Sequence, residues 1–274
     1  MTTPIYLFDI SAYLHRAMYV CYGDRVAEIE PSDTAFIRHA AGMLANTMDA
    51  LRVERMVVVC DSTEPSFRCD EYPAYKAERK AHYPVFAAQA PKFYDAMRDV
   101  SVAVAAEPRY EADDLIATIV RRAGDRYVVV SSDKDLLALV RDDRSVDFYD
   151  PMKGAWIGVG DVRSKFGVDP SQLYDYTGLV GDTSDGIPGV PGFGPKTAAK
   201  LLREFDSLDE IYSPERREAL GEFSTPKQVK TLLAHQEDAF MSRRLASPWL
   251  SKRMTADGIG LNAPAPGIVR RACG

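Results

Sequence analysis

The chain has 274 residues, of which 46% are apolar, and a formal net charge of −6. This length and composition suit one sizeable core with a smaller accessory lobe. No apolar run approaches the roughly 18 residues of a membrane span, and the first residues lack the basic region of a secretory signal. The four cysteines contain no Cys-x-x-Cys pair, which argues against a structural zinc site. We therefore expect a cytoplasmic protein without a membrane partner.

Three short apolar stretches are each followed by an aspartate. Residues 5–8 lead into Asp9, residues 56–60 into Asp61, and residues 127–130, after two serines, into Asp133. Helical periodicity between these predicted strands indicates an α/β fold with a mainly parallel central sheet flanked by helices. In such sheets the functional crevice lies beyond the carboxyl ends of the strands. The three carboxylates should therefore meet at one edge of the sheet.

Further carboxylates fall at other predicted element ends. The complete set is Asp9, Asp61, Glu111, Asp113, Asp114, Asp133, Asp135, Asp182 and Asp185. A single such residue is commonly only a turn former or a helix cap, and acidic residues in a first helical turn suit the helix dipole. A cluster of nine would be strongly repulsive unless cations lay among them. All-oxygen ligands favour Mg²⁺ or Mn²⁺.

The acidic net charge is compatible with a nucleic-acid partner. When the nine clustered acids are left out, the net charge of −6 becomes +3 for the rest of the chain. Two divalent ions would also offset four of the nine negative charges. Local basic surfaces can then contact phosphates even though the total is acidic.

A glycine- and proline-rich stretch at residues 178–205 ends in a predicted helix. Gly192 and Gly194 allow a tight hairpin with positive φ, and Pro195 suits the first helical position. The free backbone N–H groups at this helix start would bind an anion. Lys196, Lys200 and Arg203 recur at helical spacing and would present positive charge to a phosphodiester backbone.

This stretch resembles the helix–hairpin–helix element of the 5′-nuclease or flap endonuclease family, which includes the amino-terminal nuclease domain of bacterial family-A DNA polymerases. The family's four acidic motifs are matched in order by residues 7–16, 59–61, 110–114 and 132–135. Together the matches cover roughly residues 5 to 205. The chain has Ile10 where many members carry Gly, and Gly186 where Asn is common. Neither departure removes a carboxylate.

Residues 62–86 interleave aromatic side chains with cations, which suits contact with a single strand, although composition alone fits a solvated loop equally well. The segment is similar to the family's arch, through or past which the 5′ strand moves. The resemblance implies that Tyr75 stacks near the scissile nucleotide and that Lys76 and Arg79 stabilise its phosphate. It also implies DNA contacts by the arch and the hairpin, for which the candidates are Arg68, Gly192, Gly194, Lys196, Thr197, Lys200 and Arg203.

The resemblance further implies two divalent ions. Asp9, Asp61, Glu111, Asp113, Asp114 and Asp133 would serve one ion or its waters, and Asp135, Asp182 and Asp185 would build the neighbouring site. A potassium ion at the backbone carbonyls of residues 190–194 is a further hypothesis taken from the family.

We predict a structure-dependent 5′ nuclease that hydrolyses DNA at 5′ flaps or 5′ ends next to duplex, in replication and repair. An RNA–DNA hybrid and a separate DNA polymerase are additional candidate partners, and a monomer is expected. One alternative is a catalytically silent DNA-junction binder. A phosphatase that forms an aspartyl-phosphate on Asp9 fits less well, because Ser11 occupies the place of its usual second Asp. A related ribonuclease would leave the hairpin unexplained.

The predicted domains are a nuclease core at residues 1–165, with the arch at about 62–86, and a helical DNA-binding region at residues 166–250. Residues 251–274 are rich in Pro, Gly and Ala, and we expect a poorly ordered tail there.

Overall fold

A computed structural model describes residues 3–78, 83–121, 125–252 and 261–273. Its centre is a six-stranded sheet in the order β3-β2-β1-β4-β5-β6. The strands are β1 (Ile5–Asp9), β2 (Met56–Val59), β3 (Ala103–Ala105), β4 (Tyr127–Val130), β5 (Val146–Asp150) and β6 (Ala155–Ile157). Strands β1 to β5 pair in parallel, and β6 pairs antiparallel with β5. The predicted α/β class with a mainly parallel sheet is confirmed.

Helices surround the sheet and continue into a carboxyl-terminal lobe. They are α1 (Ile10–Tyr22), α2 (Ala35–Leu51), α3 (Phe67–Glu71), α4 (Pro84–Asp99), α5 (Ala112–Val120), α6 (Val159–Phe166), α7 (Leu173–Val180), α8 (Pro195–Phe205), α9 (Leu208–Tyr212), α10 (Leu220–Phe223), α11 (Pro226–Ala234), α12 (Gln236–Ala246) and α13 (Pro266–Ala272). Short 3-10 helices lie at Gly23–Glu28, Asp135–Leu139, Pro170–Gln172 and Pro214–Arg216. No helix in the described ranges is long and apolar enough to cross a membrane.

The strands are buried on both faces because their side chains alternate between two hydrophobic cores. Tyr6 and Phe8 of β1 pack with the buried residues of α1, α2 and α4. Leu7, on the opposite face, packs with α5 and also with the helices of the carboxyl-terminal lobe. Since one core is shared by the sheet and that lobe, the lobe has a fixed position relative to the edge of the sheet.

Strand β1 lies at the centre of the sheet, where the direction of strand addition reverses. The chain adds β2 and β3 on one side of β1 and then β4, β5 and β6 on the other. The carboxyl ends of β1, β2 and β4 are therefore neighbours. A crevice at this edge is the usual ligand site of an open parallel sheet.

The carboxyl-terminal tail differs from the prediction. Residues 261–273 include α13, and Val269 and Cys273 are buried in the core that covers one face of the sheet. The backbone N–H of Met56 donates to the Leu261 carbonyl at 2.7 Å, and that of Ala263 donates to the Glu54 carbonyl at 2.8 Å. The expectation of a poorly ordered tail is wrong for these residues, because a few apolar side chains at helical spacing outweigh the Pro and Gly content. Residues 253–260 and 274 lie outside the described residues.

We expect Val269→Ala to lower the free energy of unfolding by about 1–3 kcal/mol, because it removes fully buried methyl groups and leaves a cavity. Ile268→Ala is the matched control on the same helix, since Ile268 is 40% exposed. Chemical denaturation of both variants measures the difference. Equal stabilities for the two variants would contradict the packing of α13 described here.

Candidate active site

A cleft of about 540 Å³ opens at the carboxyl edge of the sheet. Six of the nine predicted carboxylates line it: Asp9, Asp61, Glu111, Asp113, Asp133 and Asp185. Three lysines, Lys76, Lys134 and Lys165, also line the cleft. With every group ionised, the six acids exceed the three lysines by three negative charges. The fold therefore brings together most of the predicted acids and leaves their charge only half compensated.

The strand-end acids are held by hydrogen bonds from neighbouring loops. Asp9 is 6% exposed and accepts a hydrogen bond from the Ser131 hydroxyl at 2.7 Å. Asp61 accepts the backbone N–H of Ala112 at 2.8 Å, and Asp133 accepts that of Asp135 at 2.9 Å. These donors fix the orientation of each carboxylate while leaving other oxygen lone pairs available.

Helix α5 begins at the cleft, as the sequence predicts. Glu111 is its N-cap, and Asp113 and Asp114 lie in its first turn. Asp113 is half-buried in the wall of the cleft. Asp114 instead is 1% exposed and completes a capping box by accepting the backbone N–H of Glu111 at 3.0 Å. Its position corrects the assignment of Asp114 as a metal ligand, because it faces the protein interior.

Arg68 accounts for the orientation of Asp114. Its guanidinium donates to both carboxylate oxygens of Asp114, at 2.9 and 2.7 Å. It also donates to the backbone carbonyls of Leu245 and Ser247, at 2.7 and 2.8 Å. Arg68 is 3% exposed, which corrects its assignment as a DNA contact. Composition could not reveal this, because a buried arginine and a surface arginine look alike in a sequence.

The arch residues reach the cleft from the turn that follows α3. The Lys76 ammonium lies 2.8 Å from the Glu111 carboxylate and 3.8 Å from that of Asp185. Burial alone would lower the pKa of Lys76. The combined effect of Glu111, Tyr75 and Asp185 outweighs burial, so the pKa of Lys76 is raised. Tyr75 is 4% exposed and its hydroxyl donates to Glu111 at 3.1 Å, so in this conformation its ring is packed rather than open for stacking. Arg79 lies outside the described residues.

The second group of acids lies beside the first. Asp135 lines a narrow pocket that adjoins the cleft and also contains Asp113 and Asp185. Asp182 does not line the cleft, and its carboxylate is paired with the Lys134 ammonium at 2.6 Å. Burial alone would raise the pKa of Asp182, but hydrogen bonds from Lys134 and Ser184 lower it below its usual value.

Three of the carboxyl groups have raised pKa values. Burial and the nearby Asp61 raise the pKa of Asp9 to about 7. Burial and the charge of Asp133 raise the pKa of Asp135 to about 7 and that of Asp113 well above its usual value. Burial is the larger cause of each shift, and the neighbouring negative charge adds to it.

The donor set fits a hard divalent cation. Within the part of the chain that the structure describes, no three acidic, histidine or cysteine side chains already converge as ligands of one ion. The cleft nevertheless supplies carboxylate oxygens as ligands and has an excess of negative charge. A divalent cation would offset that charge and lower the raised carboxyl pKa values. We conclude that the residues fit such an ion in charge and in donor chemistry.

The predicted hairpin connects α7 to α8. Gly192 has φ of +79°, as expected, whereas Gly194 is extended, with φ of −97° and ψ of 177°. Phe193, between them, is 4% exposed and packs in the shared core. Pro195 is the first residue of α8, and no side chain caps this helix start. Because Pro195 has no N–H and the Thr197 N–H donates to the Gly194 carbonyl at 3.0 Å, this first turn offers an anion fewer backbone donors than the sequence predicts. Only one of the two glycines needs its conformational freedom.

The cations of α8 differ in their surroundings. Lys196 and Thr197 lie in its first turn, where Lys196 is exposed. Lys200 is exposed but donates to the Phe223 carbonyl at 2.9 Å, and Arg203 donates to the Ala199 carbonyl at 3.3 Å. A phosphate would have to compete with these carbonyls for Lys200 and Arg203.

Sequence reasoning did not select Lys134, Lys165 or His15, which all line the cleft. Lys134 lies between two predicted acids, and that position was a usable signal. Lys165 comes from α6 and lies more than 30 residues along the chain from every other cleft residue except Asp185, so only the tertiary fold places it here. His15 stacks on Phe86, with ring centroids 4.5 Å apart.

Residues 4–167 match the family described as 5′-3′ exonuclease, N-terminal resolvase-like domain, and residues 168–252 match 5′-3′ exonuclease, C-terminal SAM fold. DNA polymerase I of Rhizobium leguminosarum is 38% identical over 203 residues, covering 73% of this chain and 19% of that protein. DNA polymerase I of Treponema pallidum is 33% identical over 246 residues, covering 88% of this chain and 24% of that protein. The chain thus spans less than a quarter of the length of these curated relatives.

Solved structures of bacteriophage T5 proteins share the fold. The 5′-exonuclease with bound zinc has a TM-score of 0.72 at 19% identity, with 89% of each chain covered. The flap endonuclease in complex with DNA and metal ions has a TM-score of 0.67 at 19% identity, again with 89% of each chain covered. The two family matches, over residues 4–167 and 168–252, show that the chain belongs to the 5′-3′ exonuclease family and is a hydrolase of the nuclease class.

Proposed function

We propose that this chain is a structure-dependent 5′ nuclease that hydrolyses phosphodiester bonds of DNA at 5′ flaps and 5′ ends next to duplex. The observation that carries the proposal is the cleft at the carboxyl edge of the sheet, which is lined by six carboxylates and by Lys76. A carboxylate-rich cleft suits metal-assisted phosphodiester hydrolysis, and an adjacent lysine suits the negative charge of the phosphate.

The carboxylates would hold two divalent ions, for which we propose Mg²⁺ or Mn²⁺. Asp9, Asp61, Glu111, Asp113 and Asp133 would hold or orient one ion, while Asp135, Asp182 and Asp185 would build the neighbouring site. When bound, such ions activate a water molecule and stabilise the leaving oxygen. T5 proteins of the same fold have been solved with metal ions, which supports this assignment.

The protein's own residues would bind and orient the substrate. The Lys76 ammonium, already within the cleft, would stabilise the charge of the scissile phosphate. Arg79 would assist it, as the family resemblance implies. The α8 N-terminus, with Lys196 and Thr197, would bind the duplex backbone without reading its sequence. Potassium at residues 190–194 would add a further cation beside the same backbone.

The relatives support a proposed partner and setting. DNA polymerase I proteins contain a region similar to this chain, so a polymerase partner in replication and repair is the natural context. We extend the proposed substrates to RNA–DNA hybrids and the proposed state to a cytoplasmic monomer. The rival function is a DNA-junction binder without activity. Its weakness is that the uncompensated acids of the cleft would then lower stability without any benefit.

The first test is cleavage of a 5′-labelled flap duplex. We expect the wild-type protein to cut near the junction with Mg²⁺ and to be inactive with chelator. Asp133→Asn should lose activity by at least about a hundredfold, because ligand and ligand-orienting groups carry effects of that size. Asp24→Asn, on an exposed 3-10 helix outside the cleft, is the matched control and should stay active. Tight binding without cleavage by the wild type would favour the junction binder.

Stability in chelator should depend on pH through Asp9. Its carboxyl pKa rises from 3.8 to about 7 on folding, so the folded state binds more protons in that window. We expect the melting temperature of wild-type protein to fall, relative to Asp9→Asn, as the pH rises from about 4 to about 7. Saturating Mg²⁺ should reverse the wild-type loss. Parallel pH profiles for the two proteins would show that Asp9 carries no unfavourable charge.

The duplex-binding role of α8 can be tested by charge reversal. Lys196→Glu should weaken duplex binding and reduce the slope of log affinity against log salt by about one or more, because a phosphate contact is lost. Lys230→Glu, on the exposed surface of α11, makes the same charge change in the same lobe. Fluorescence anisotropy over a salt series provides the measurement. If both variants lose affinity equally, only net charge matters and the α8 assignment fails.

A further inference from the structure

Gly186 lies where the loop containing Asp182 and Asp185 meets the arch segment. Its backbone is left-handed, with φ of +70°. A Cβ atom at this position would lie 2.6 Å from the carbonyl oxygen of Ala74, which is closer than real Cβ contacts come. Only a residue without a side chain allows the arch segment to approach the loop so closely.

This approach fixes the backbone of Lys76. The Lys76 N–H donates to the Asp185 carbonyl at 2.9 Å. Lys76 itself has φ of +53°, a conformation that residues other than glycine seldom adopt and that must be held by surrounding contacts. From this backbone position its ammonium reaches the carboxylates of Glu111, at 2.8 Å, and Asp185, at 3.8 Å.

Side-chain packing holds the rest of the segment in the same place. Tyr75 packs with Ile187 and Leu245, and its hydroxyl donates to Glu111 at 3.1 Å. These contacts fasten the residue before Lys76 to the loop after Gly186. The close approach at Ala74 and the packing of Tyr75 therefore act on one short turn.

We propose that Gly186 is a positioning residue that places the Lys76 ammonium among the carboxylates of the cleft. The catalytic part of this inference rests on the proposed nuclease function. Asparagine, which is common at this position in the family, tolerates a left-handed backbone, but its Cβ would meet the Ala74 carbonyl in the same way. The arrangement therefore depends on the glycine that this chain carries.

The arrangement has two consequences of opposite sign. A lysine between Glu111 and Asp185 repels a divalent cation that uses the same carboxylates, so it lowers metal affinity. The same lysine adds positive charge where the phosphate would bind, so it increases the rate of cleavage. Displacing Lys76 should therefore strengthen metal binding and weaken catalysis. General damage to the Asp185 loop would weaken both.

The experiment compares Gly186→Ala, Gly186→Asn, Lys76→Met and the double variant Gly186→Ala with Lys76→Met. Calorimetry with Mn²⁺ in the absence of DNA measures metal affinity, and single-turnover cleavage of a flap duplex measures the rate. We expect each single variant to bind Mn²⁺ more tightly and to cleave roughly ten- to a hundredfold more slowly. The double variant should match Lys76→Met in both measurements, because Gly186 acts through Lys76.

Gly154→Ala is the matched control. Gly154 also has a positive φ, of +64°, but a Cβ there would meet only the Tyr149 hydroxyl at 3.7 Å, an ordinary contact. It should leave metal affinity and rate unchanged, which separates backbone strain from the collision with Ala74. Gly186→Asn serves the same purpose at Gly186 itself, since asparagine tolerates the backbone conformation.

Two results would overturn the proposal. Weaker Mn²⁺ binding by folded Gly186 variants would mean that the glycine only maintains the Asp185 loop. Additive effects in the double variant would mean that Gly186 acts independently of Lys76. Failure of the wild-type protein to cleave would instead reject the nuclease function, and the Mn²⁺ affinities would still test the placement of Lys76.

Discussion

The buried ion pair between Arg68 and Asp114 is the interaction on which the site depends. It joins α3 of the arch to α5 of the core, and through the Leu245 and Ser247 carbonyls it also holds the end of α12. Loss of either partner would leave an uncompensated buried charge, at a cost of about 3–5 kcal/mol. Both ions are well satisfied by hydrogen bonds, so the pair can fix three separate segments around one cleft.

The charge of the cleft lowers the stability of the fold. Its acids are brought together by strands and a helix, and these elements are stabilised by the apolar cores on the two faces of the sheet. Burial, together with the resulting repulsion, raises the pKa values of Asp9, Asp113 and Asp135. Lys76 and Lys134 relieve part of it. The large cores supply the stability that allows such a charge imbalance to persist.

The carboxyl-terminal lobe is placed by packing rather than by a flexible connection. Leu179, near the end of α7, and Phe193, within the hairpin loop, belong to the same core as Leu7 of β1. The Lys134–Asp182 pair adds a polar link between the end of β4 and the loop that precedes the hairpin. A duplex bound at α8, as proposed above, would therefore be held at a fixed distance from the cleft, which the proposed structure-dependent cleavage requires.

The sequence by itself determined the alternating strands and helices, the acids at the ends of β1, β2 and β4, and the helix start at Pro195. These features depend on local periodicity and on the local conformational preferences of single residues. Only the tertiary structure decided that Arg68 and Asp114 are buried partners, that Tyr75 is packed, that Lys165 reaches the cleft and that residues 261–273 are ordered. These outcomes depend on contacts between residues distant in the chain, and residue type alone does not distinguish a buried charge from an exposed one.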